Sequence, residues 1–586
     1  MTLSVSLAEV DAIFERSVAL GSAPGVAYGV VMDGAIVQAG GHGTLRAGDT
    51  APPDVDSVFR IASMTKSFTA AAVLLLRDEG RLRFDDPVAR WVPDLADLHG
   101  PTADSPPVTI GHLLTMAAGF PSDDPWGDRQ QGLGLAEFAD LLRGGLAFAW
   151  APGTHFEYSN LGYGILGRVI TNISGVEYRD FVQGRLLAPL GMTATTFEQE
   201  DVPAARLAHG YVRRDDAWLE EPIDPYGALA SMGGIFTSVR DLARWVAGFT
   251  DAFPPRDEPE AEHPLTRASR REMQQIHRSF DPELTWSAAD ATPELLSGGY
   301  GYGLFVSDDL RLGRVVGHGG GYPGFGSHMR WHPTSGTGVI AFGNARYARM
   351  DLLVREALAG LLAREPGRIR SAAPWPQTID ARARVERLLT HWDDADAADL
   401  FAMNVDLDEP LALRRATIER LHHVHGALTR DGTTAPESDT PAAVSWWMTG
   451  ERGRIHVQMT LSPERPPLVQ SLLFRSVPEP PAGLTAIAVR LVAVLGTPGP
   501  AWPSGIDLAD SLDRDRIARS LRAAEARFGP VILGVAIGGD GETTARWRLH
   551  GDRGDIDLAL GCDYPDGPLT LVEFVPRALT TPRHAM

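Results

Sequence analysis

The chain has 586 residues, which is too long for one hydrophobic core, so two or three domains are expected. Its formal charge of -21 argues against nucleic acid or an anionic membrane as a partner, because both require clustered cations. The one cysteine, Cys562, excludes an intrachain disulfide. The N-terminal segment does not have a basic stretch followed by an apolar run, so no signal peptide is expected. No stretch of about 18 consecutive apolar residues occurs, so no membrane span is expected. If Met1 is the true start, we expect a cytoplasmic protein.

Lysine usage is strongly biased. Lysine and arginine together number 54, and Lys66 is the only lysine among them. The two residues are interchangeable at most surface positions, but only lysine can lose its proton near neutral pH. A lysine retained in a chain that otherwise uses arginine indicates a place where deprotonation is needed.

Two strands are predicted first, over residues 25–39, around a tight turn. A buried helix is predicted next, over residues 59–80, because this segment opens polar, becomes continuously apolar and stops at a glycine. Ser63 and Lys66 would then lie in the first turn of that helix. Short helices and loops are expected from there to about residue 250.

Residues 252–298 are rich in Pro, Glu and Asp and are interpreted as a surface excursion. Four strands are then predicted before a closing helix over residues 351–362: 300–306, 314–318, 325–332 and 338–343. Two strands at the start and several near the end, with helices between them, favour one antiparallel sheet. Both ends of a domain over residues 1–363 would build this sheet.

Residues 364–377 are rich in Pro and Arg and are predicted to be a linker. Beyond the linker, residues 449–470 match residues 550–571 at a spacing of 101. The two copies predict α+β modules over 378–477 and 484–586, each with two helices and a three-stranded antiparallel meander. We expect the modules to pack together and to offer a surface for a homodimer.

Three histidines at a helix end in the first module could suggest a metal: His422, His423 and His425. Only two of them share a helix face, and no carboxylate joins them. A solvated helix end is the better interpretation, so no metal site is predicted.

Ser63 and Lys66 stand at i and i+3, which places both side chains on one helix face within reach of each other. A serine hydroxyl is a poor nucleophile until a base takes its proton. A lysine can be that base if burial in an apolar wall and a nearby cation lower its pKa. The N-terminus of the helix would offer positive potential to a developing oxyanion.

Two further segments have groups suited to acyl transfer. Tyr158 lies in a loop before a helix, where its phenol can relay a proton to a leaving group, and the Asn160 amide can orient the lysine and the substrate. The other segment ends a strand and is rich in glycine: His318, Gly319, Gly320 and Gly321. Glycines let a substrate backbone lie close along the strand, and an exposed N–H there can join that of Ser63 in an oxyanion hole.

These three motifs, in this order, resemble the serine β-lactamase and penicillin-binding-protein superfamily, and specifically its class C and esterase branch. Four longer stretches extend the resemblance over about residues 8–362: VTIGHLLTMAAGF (108–120), APGTHFEYSNLGYGILGRVI (151–170), LLAPLGMTATTF (186–197) and SMGGIFTSVRDLARWV (231–246). The resemblance implies an α/β sandwich, which is an antiparallel sheet flanked by helices, beside an all-helical subdomain. It implies no cofactor.

The resemblance also implies the roles of the site residues. Ser63 looks like the nucleophile, Lys66 like the helix base and Tyr158 like the tyrosine base or relay. The substrate would be bound by Asn160, His318, Gly319 and Gly320. The N–H of Gly321 would complete the oxyanion hole with that of Ser63.

His318 departs from the pattern, because β-lactamases carry a lysine at this position. A permanent cation suits the carboxylate of β-lactams and of peptides ending in D-alanine, whereas histidine is similar to esterases, D-aminopeptidases and transacylases of this branch. The sequence therefore predicts a serine hydrolase that forms an acyl-enzyme on a small ester, amide or peptide. The alternatives are a transacylase, a β-lactamase or D-Ala-D-Ala carboxypeptidase, and a non-catalytic binding protein that retains the pocket.

Overall fold

A computed structural model of the chain describes residues 2–260, 262–286, 293–309, 312–364, 373–438, 440–495, 497, 501–551 and 554–576. The chain divides into two compact units, Met1–Thr285 with Pro293–Arg368, and Trp286–Thr292 with Ile369–Met586. Among the described residues, no helix combines the length and the apolar character that crossing a bilayer requires. Most of the predicted linker, residues 365–372, lies outside the described residues, and the predicted domain boundaries remain a prediction.

The first unit contains both helices and strands. Its helices are α1 Thr2–Ala19, α2 Thr65–Asp78, α3 Ile110–Leu114, α4 Asp124–Gly127, α5 Leu135–Arg143, α6 Asn160–Ser174, α7 Tyr178–Val182, α8 Ala230–Gly233, α9 Val239–Asp251, α10 Arg267–Met273 and α11 Met350–Arg364. Its strands are β1 Gly25–Met32, β2 Ala35–Gly43, β3 Val58–Arg60, β4 Tyr211–Arg214, β5 Ala217–Glu220, β6 Phe236–Ser238, β7 Arg278–Ser279, β8 Glu283–Trp286, β9 Pro293–Leu296, β10 Gly298–Tyr300, β11 Phe305–Asp309, β12 Gly313–Tyr322, β13 Phe325–His332 and β14 Thr337–Gly343.

One antiparallel sheet, in the strand order β2-β1-β14-β13-β12-β11-β10-β7, forms the centre of this unit. Helices α1 and α11 pack together, and α11 covers one face of β13 and β14, whereas α9 covers the other face of β1 and β14. Glycines permit the close approach of α9, since a Cβ at Gly338 would lie 2.9 Å from the Val246 side chain. The chain ends of the unit thus meet in one sheet flanked by helices, which confirms the predicted fold class.

Helix α2 is buried from Thr65 to Leu76 and packs against α6 and α8. The predicted start of this helix is wrong. Strand β3 pairs with β6 and holds the chain extended to Arg60, and a 3₁₀ turn over Ala62–Met64 then leads into α2. Ser63 therefore lies in the 3₁₀ turn just before the α-helix rather than inside the first turn of that helix.

Two other predictions for this unit are wrong. The strand predicted over 300–306 is two strands, because the chain reverses between Tyr300 and Phe305 at Gly303, whose φ is 68°. The tip of this hairpin lies against α2, since a Cβ at Gly303 would be 2.5 Å from the Lys66 carbonyl oxygen. The segment 252–298 is also more than a surface excursion, because α10 leads into Gln274, which is buried and accepts a hydrogen bond from Trp331 of β13.

The second unit contains two sheets, ordered β15-β16-β17-β18 and β19-β20-β21-β22. Its helices are α12 Pro376–Thr390, α13 Asp394–Leu400, α14 Met403–Asp408, α15 Leu411–His425, α16 Ala482–Leu495 and α17 Arg514–Phe528. Its strands are β15 Thr429–Arg430, β16 Ala443–Gly450, β17 Gly453–Leu461, β18 Val469–Pro478, β19 Val531–Gly539, β20 Thr544–Gly551, β21 Gly554–Cys562 and β22 Leu569–Pro576. The two repeated α+β modules are therefore present, but each sheet has a fourth strand that the predicted meander lacks.

The internal repeat is visible in the register of the two sheets. The hairpin between β16 and β17 closes on the pair Gly450 and Gly453, and the one between β20 and β21 closes on Gly551 and Gly554. Gly453 has a φ of 123° and Gly554 a φ of 121°, values that glycine tolerates best. The matching sequence spacing thus encodes two copies of one hairpin.

The histidine cluster is only in part a solvated helix end. His425 is fully buried, and its Nε2 lies 2.7 Å from the Ser476 hydroxyl. The Nε2 of His422 lies 2.7 Å from the carbonyl oxygen of Leu389. These contacts tie the end of α15 to neighbouring elements of its module.

Candidate active site

The candidate nucleophile lies on a sharp turn. The Ile61 N–H donates to the carbonyl of Ile235, which continues the pairing of β3 with β6. Ala62 then adopts a φ of 47°, in the left-handed region that costs a residue with a Cβ roughly 1–2 kcal/mol. Ala62 and Met64 are buried, whereas Ser63 between them is only half-buried. The turn therefore exposes the Ser63 hydroxyl beside a buried helix start.

Lys66 is fully buried and has three hydrogen-bond acceptors. Its Nζ donates to Ser63 Oγ at 2.9 Å, to Asn160 Oδ1 at 2.6 Å and to the Met232 carbonyl at 2.9 Å. A protonated ammonium has three N–H donors, so this arrangement satisfies the charged form completely.

The same three contacts determine where the lone pair of a neutral Lys66 must point. A carbonyl oxygen and an amide oxygen can only accept hydrogen bonds. The two N–H groups of the neutral amine therefore stay on Asn160 and Met232, and the lone pair faces the Ser63 hydroxyl, which can donate. Deprotonation converts Lys66 from a donor to Ser63 into an acceptor from it, without movement of the side chain.

A buried chain of polar groups sets the orientation of Asn160. Its Nδ2 donates to Asp124 Oδ1 at 2.8 Å, which leaves Oδ1 free to face Lys66. Asp123 caps α6 by accepting from the backbone N–H groups of Asn160 at 2.7 Å and Leu161 at 2.8 Å. A Cβ at Gly127 would lie 2.8 Å from the Asn160 Cβ, so the glycine lets the short helix α4 approach. Local sequence contains no signal for these roles of Asp123 and Asp124.

Burial lowers the pKa of Lys66 from 10.5 to about 8, even though the negative charges of Asp124, Asp123 and Asp128 raise it. Desolvation disfavours the charged ammonium, and nearby carboxylates favour it. The predicted mechanism invoked a neighbouring cation to lower this pKa, whereas the structure achieves the lowering by burial alone. Lys66 can thus exchange its proton close to neutral pH.

Tyr158 approaches the same two groups from the loop before α6. Its ring centroid lies 4.9 Å from Lys66 Nζ, and the Ser63 hydroxyl is near enough to affect the pKa of its phenol. Burial and the charge of Asp124 raise the pKa of this phenol well above its usual value. Tyr158 is therefore a neutral phenol that can donate and relay a proton, and Lys66 is the better base.

Strand β12 contacts the turn that carries Ser63. A Cβ at Gly320 would lie 2.1 Å from the Ile61 carbonyl oxygen, so only glycine allows this approach. Ser327 of β13 donates to the same carbonyl at 2.8 Å and fixes the turn to the sheet. Gly321 follows, and a Cβ at this position would lie 2.5 Å from the ring of Tyr347. The structure thus brings the glycine segment to the nucleophile turn.

His318 is buried, and both of its ring nitrogens have protein partners. Its Nδ1 lies 2.6 Å from the Gly319 carbonyl and must donate, which leaves Nε2 to accept from the Tyr300 hydroxyl at 3.0 Å. Burial and the charge of Lys66 lower the pKa of His318 to about 3. The imidazole is therefore neutral at physiological pH. Sequence reasoning had no means to find Tyr300 as its partner.

Comparison with known proteins supports this architecture. Residues 10–364 match the family described as Beta-lactamase. Protein flp of Staphylococcus aureus (strain NCTC 8325 / PS 47) is 26% identical over 356 residues, covering 59% of this chain and 64% of that protein. The D-alanyl-D-alanine-carboxypeptidase/endopeptidase AmpH of Escherichia coli (strain K12) is 30% identical over 246 residues, covering 40% of this chain and 59% of AmpH. The chain thus spans less than two thirds of the length of these curated relatives.

A similar fold is found in a solved structure, the octameric penicillin-binding protein homologue from Pyrococcus abyssi. It superposes with a TM-score of 0.52 at 18% identity, covering 95% of this chain and 96% of that chain. The fold and the matched family define the class of protein as beta-lactamase-like. The chain belongs to the beta-lactamase family, within the serine β-lactamase and penicillin-binding-protein superfamily, which confirms the resemblance found in the sequence.

Proposed function

We propose that the protein hydrolyses a small ester or amide through an acyl-enzyme on Ser63, with Lys66 as the base and Tyr158 as the proton relay. The observation that carries this proposal is the buried amine of Lys66, 2.9 Å from Ser63 Oγ, with its pKa lowered to about 8. A general base works best when its pKa is near the operating pH. At pH 7 about one tenth of Lys66 is unprotonated, so the competent form is populated.

In the acylation step, Ser63 Oγ attacks the substrate carbonyl while its proton passes to the lone pair of Lys66. The carbonyl oxygen becomes an oxyanion, which the N–H groups of Ser63 and Gly321 would stabilise. The bond to the leaving group then breaks, and that group takes the proton from Lys66 through the Tyr158 phenol. Lys66 is neutral again and can activate a water molecule that hydrolyses the acyl-enzyme.

The charges around the site favour a substrate without a carboxylate. The position that holds a lysine in β-lactamases is His318, which is neutral because its pKa lies at about 3. Asp124 and Asp128 are close enough to Lys66 to raise its pKa, so they would repel a substrate anion. Gly319 and Gly320 are the proposed substrate contacts. Asn160 is fully buried between Lys66 and Asp124, so it would position the lysine rather than bind substrate as the sequence predicts. His318 would act by holding Tyr300 and the strand.

The carboxypeptidase named among the relatives keeps peptide hydrolysis open as a second candidate. A panel of p-nitrophenyl esters, D-amino acid anilides, a D-Ala-D-Ala peptide and a chromogenic cephalosporin separates the candidates. We expect ester or anilide turnover that exceeds peptide and cephalosporin turnover. Preferential turnover of the peptide or the cephalosporin would contradict the proposed substrate class, and transfer to added alcohol or amine would identify a transacylase. No turnover and no acylation with any substrate would identify a binding protein.

A further inference from the structure

A cavity lined by arginines lies within the second unit. Its volume is about 310 Å³, and residues of both four-stranded sheets line it. The polar lining residues and the glycines come from β18, β19 and β20: Arg475, Ser476, Gly538, Gly539, Thr544 and Arg546. The remaining lining is small or apolar, so the two guanidinium groups are its charged groups.

Neither lining arginine is neutralised within the part of the chain that the structure describes. Arg475 and Arg546 are exposed, and no described carboxylate lies within 4.0 Å of either. The nearby Arg548 uses Asp557, at 3.2 Å. Arg475 is exposed at its surface but partly desolvated, which lowers its pKa; the charges of Arg546 and Arg548 lower it further, and that of Asp557 raises it. Unpaired like charges at one cavity favour an anion between them.

A fourth arginine extends this positive region. The Cζ atoms of Arg454 and Arg475 lie 4.2 Å and 5.7 Å from the centroid of the Trp447 ring, so both guanidinium groups rest on one indole. Arg454 is paired with Asp431, but its Nη1 is buried with no hydrogen-bond partner among the described residues. The region therefore has more positive charge than its carboxylates balance, in a chain with a net charge of -21.

The repeat shows that the arginines are not required by the module fold. At the spacing of 101, the core positions agree, and Trp446 and Trp547 are both buried. The adjacent positions on the opposite face differ, because Ser445 in one copy corresponds to Arg546 in the other. Packing of the hairpin thus explains the tryptophans but gives no reason for the arginine.

We propose that this arginine cavity, defined by Arg475 and Arg546, binds a small tetrahedral oxyanion of the phosphate class, free or as part of a larger ligand. Guanidinium groups match phosphate oxygens with paired N–H donors. The Thr544 hydroxyl and the backbone at Gly538 and Gly539 line the same space and can approach the oxyanion closely, because glycines add no side chain. The second unit would thereby have a ligand of its own.

The test is calorimetric titration of the full chain with inorganic phosphate, sulfate and succinate, at an ionic strength held constant with sodium chloride. We expect one phosphate to bind per chain, sulfate to compete, and succinate to bind more weakly. The double variant R475Q/R546Q should lose at least tenfold in phosphate affinity, because each charged hydrogen-bond partner typically contributes about a factor of ten or more.

Two further variants make the result interpretable. R516Q/R522Q removes two exposed arginines of α17 that do not line the cavity, and it should bind phosphate like the unmodified chain. R475K/R546K keeps both positive charges, and its phosphate affinity should be higher than that of R475Q/R546Q. This comparison distinguishes loss of charge from a defect in folding. Absence of phosphate binding in the unmodified chain, or an equal loss in R475Q/R546Q and R516Q/R522Q, would overturn the proposal.

Discussion

The contact between Gly320 and the serine turn makes a sharp prediction for Gly320→Ala. A Cβ at this position would lie 2.1 Å from the Ile61 carbonyl oxygen and 2.4 Å from Ser327 Oγ, whereas real Cβ atoms essentially never approach below 3.0 Å. The strand and the turn must therefore separate by about 0.9 Å. A misplacement of about 1 Å at reacting groups can cost roughly 100-fold in rate, or about 2.7 kcal/mol of transition-state stabilisation.

We expect the Gly320→Ala variant to fold and to lose about 100-fold in kcat/KM on a p-nitrophenyl ester. The matched control is Gly338→Ala in β14, outside the candidate site, whose Cβ would lie 2.9 Å from the Val246 side chain rather than against backbone. The control should lose less than about tenfold, because a side chain can move by a few tenths of an ångström. Circular dichroism would establish that both variants are folded. A Gly320→Ala variant with half the original rate would refute the argument that this approach positions the nucleophile.

Three further predictions concern the proton on Lys66. Lys66→Arg should lower kcat by about 10²–10⁴-fold, because arginine keeps the charge but cannot accept the serine proton, and a variant with half the original rate would leave Tyr158 as the likelier base. The kcat/KM of the unmodified protein should rise with pH through about 8, where Lys66 loses its proton, and a profile flat from about pH 6 to 9 would contradict this. Asp124→Asn should move the rise in kcat/KM to lower pH, because the Asp124 charge raises the pKa of Lys66; an unmoved rise would show that the carboxylate acts by structure alone.

Local spacing made the pair of Ser63 and Lys66 predictable, because residues at i and i+3 approach each other in 3₁₀ as well as α-helical turns. The partners that determine the function of the lysine were not predictable in the same way. Met232 contributes a backbone carbonyl, which leaves no signature in side-chain identity, and it is separated from Lys66 by 166 positions. Asp124 is hydrogen-bonded to Asn160, 36 positions further along the chain, and its charge acts on Lys66 from a distant part of the sequence.

The sheets show the same division between local pattern and tertiary context. The hairpins of the repeat could be predicted because alternating core residues and paired glycines recur at one spacing. Strand β19 was missed because its sequence, VILGVAIGG, is rich in glycine and its pairing with β20 is interrupted by register shifts. Strand β15 was missed because it is only two residues long.

Covalent labelling tests the central claim most directly. The full chain would be treated with a fluorophosphonate, digested and examined by mass spectrometry, with Ser63→Ala as the control. The account predicts one adduct on the peptide that contains Ser63, its loss in the Ser63→Ala variant, and slower labelling in Lys66→Arg. Labelling on a different residue, or full ester turnover by Ser63→Ala, would contradict an acyl-enzyme on this serine.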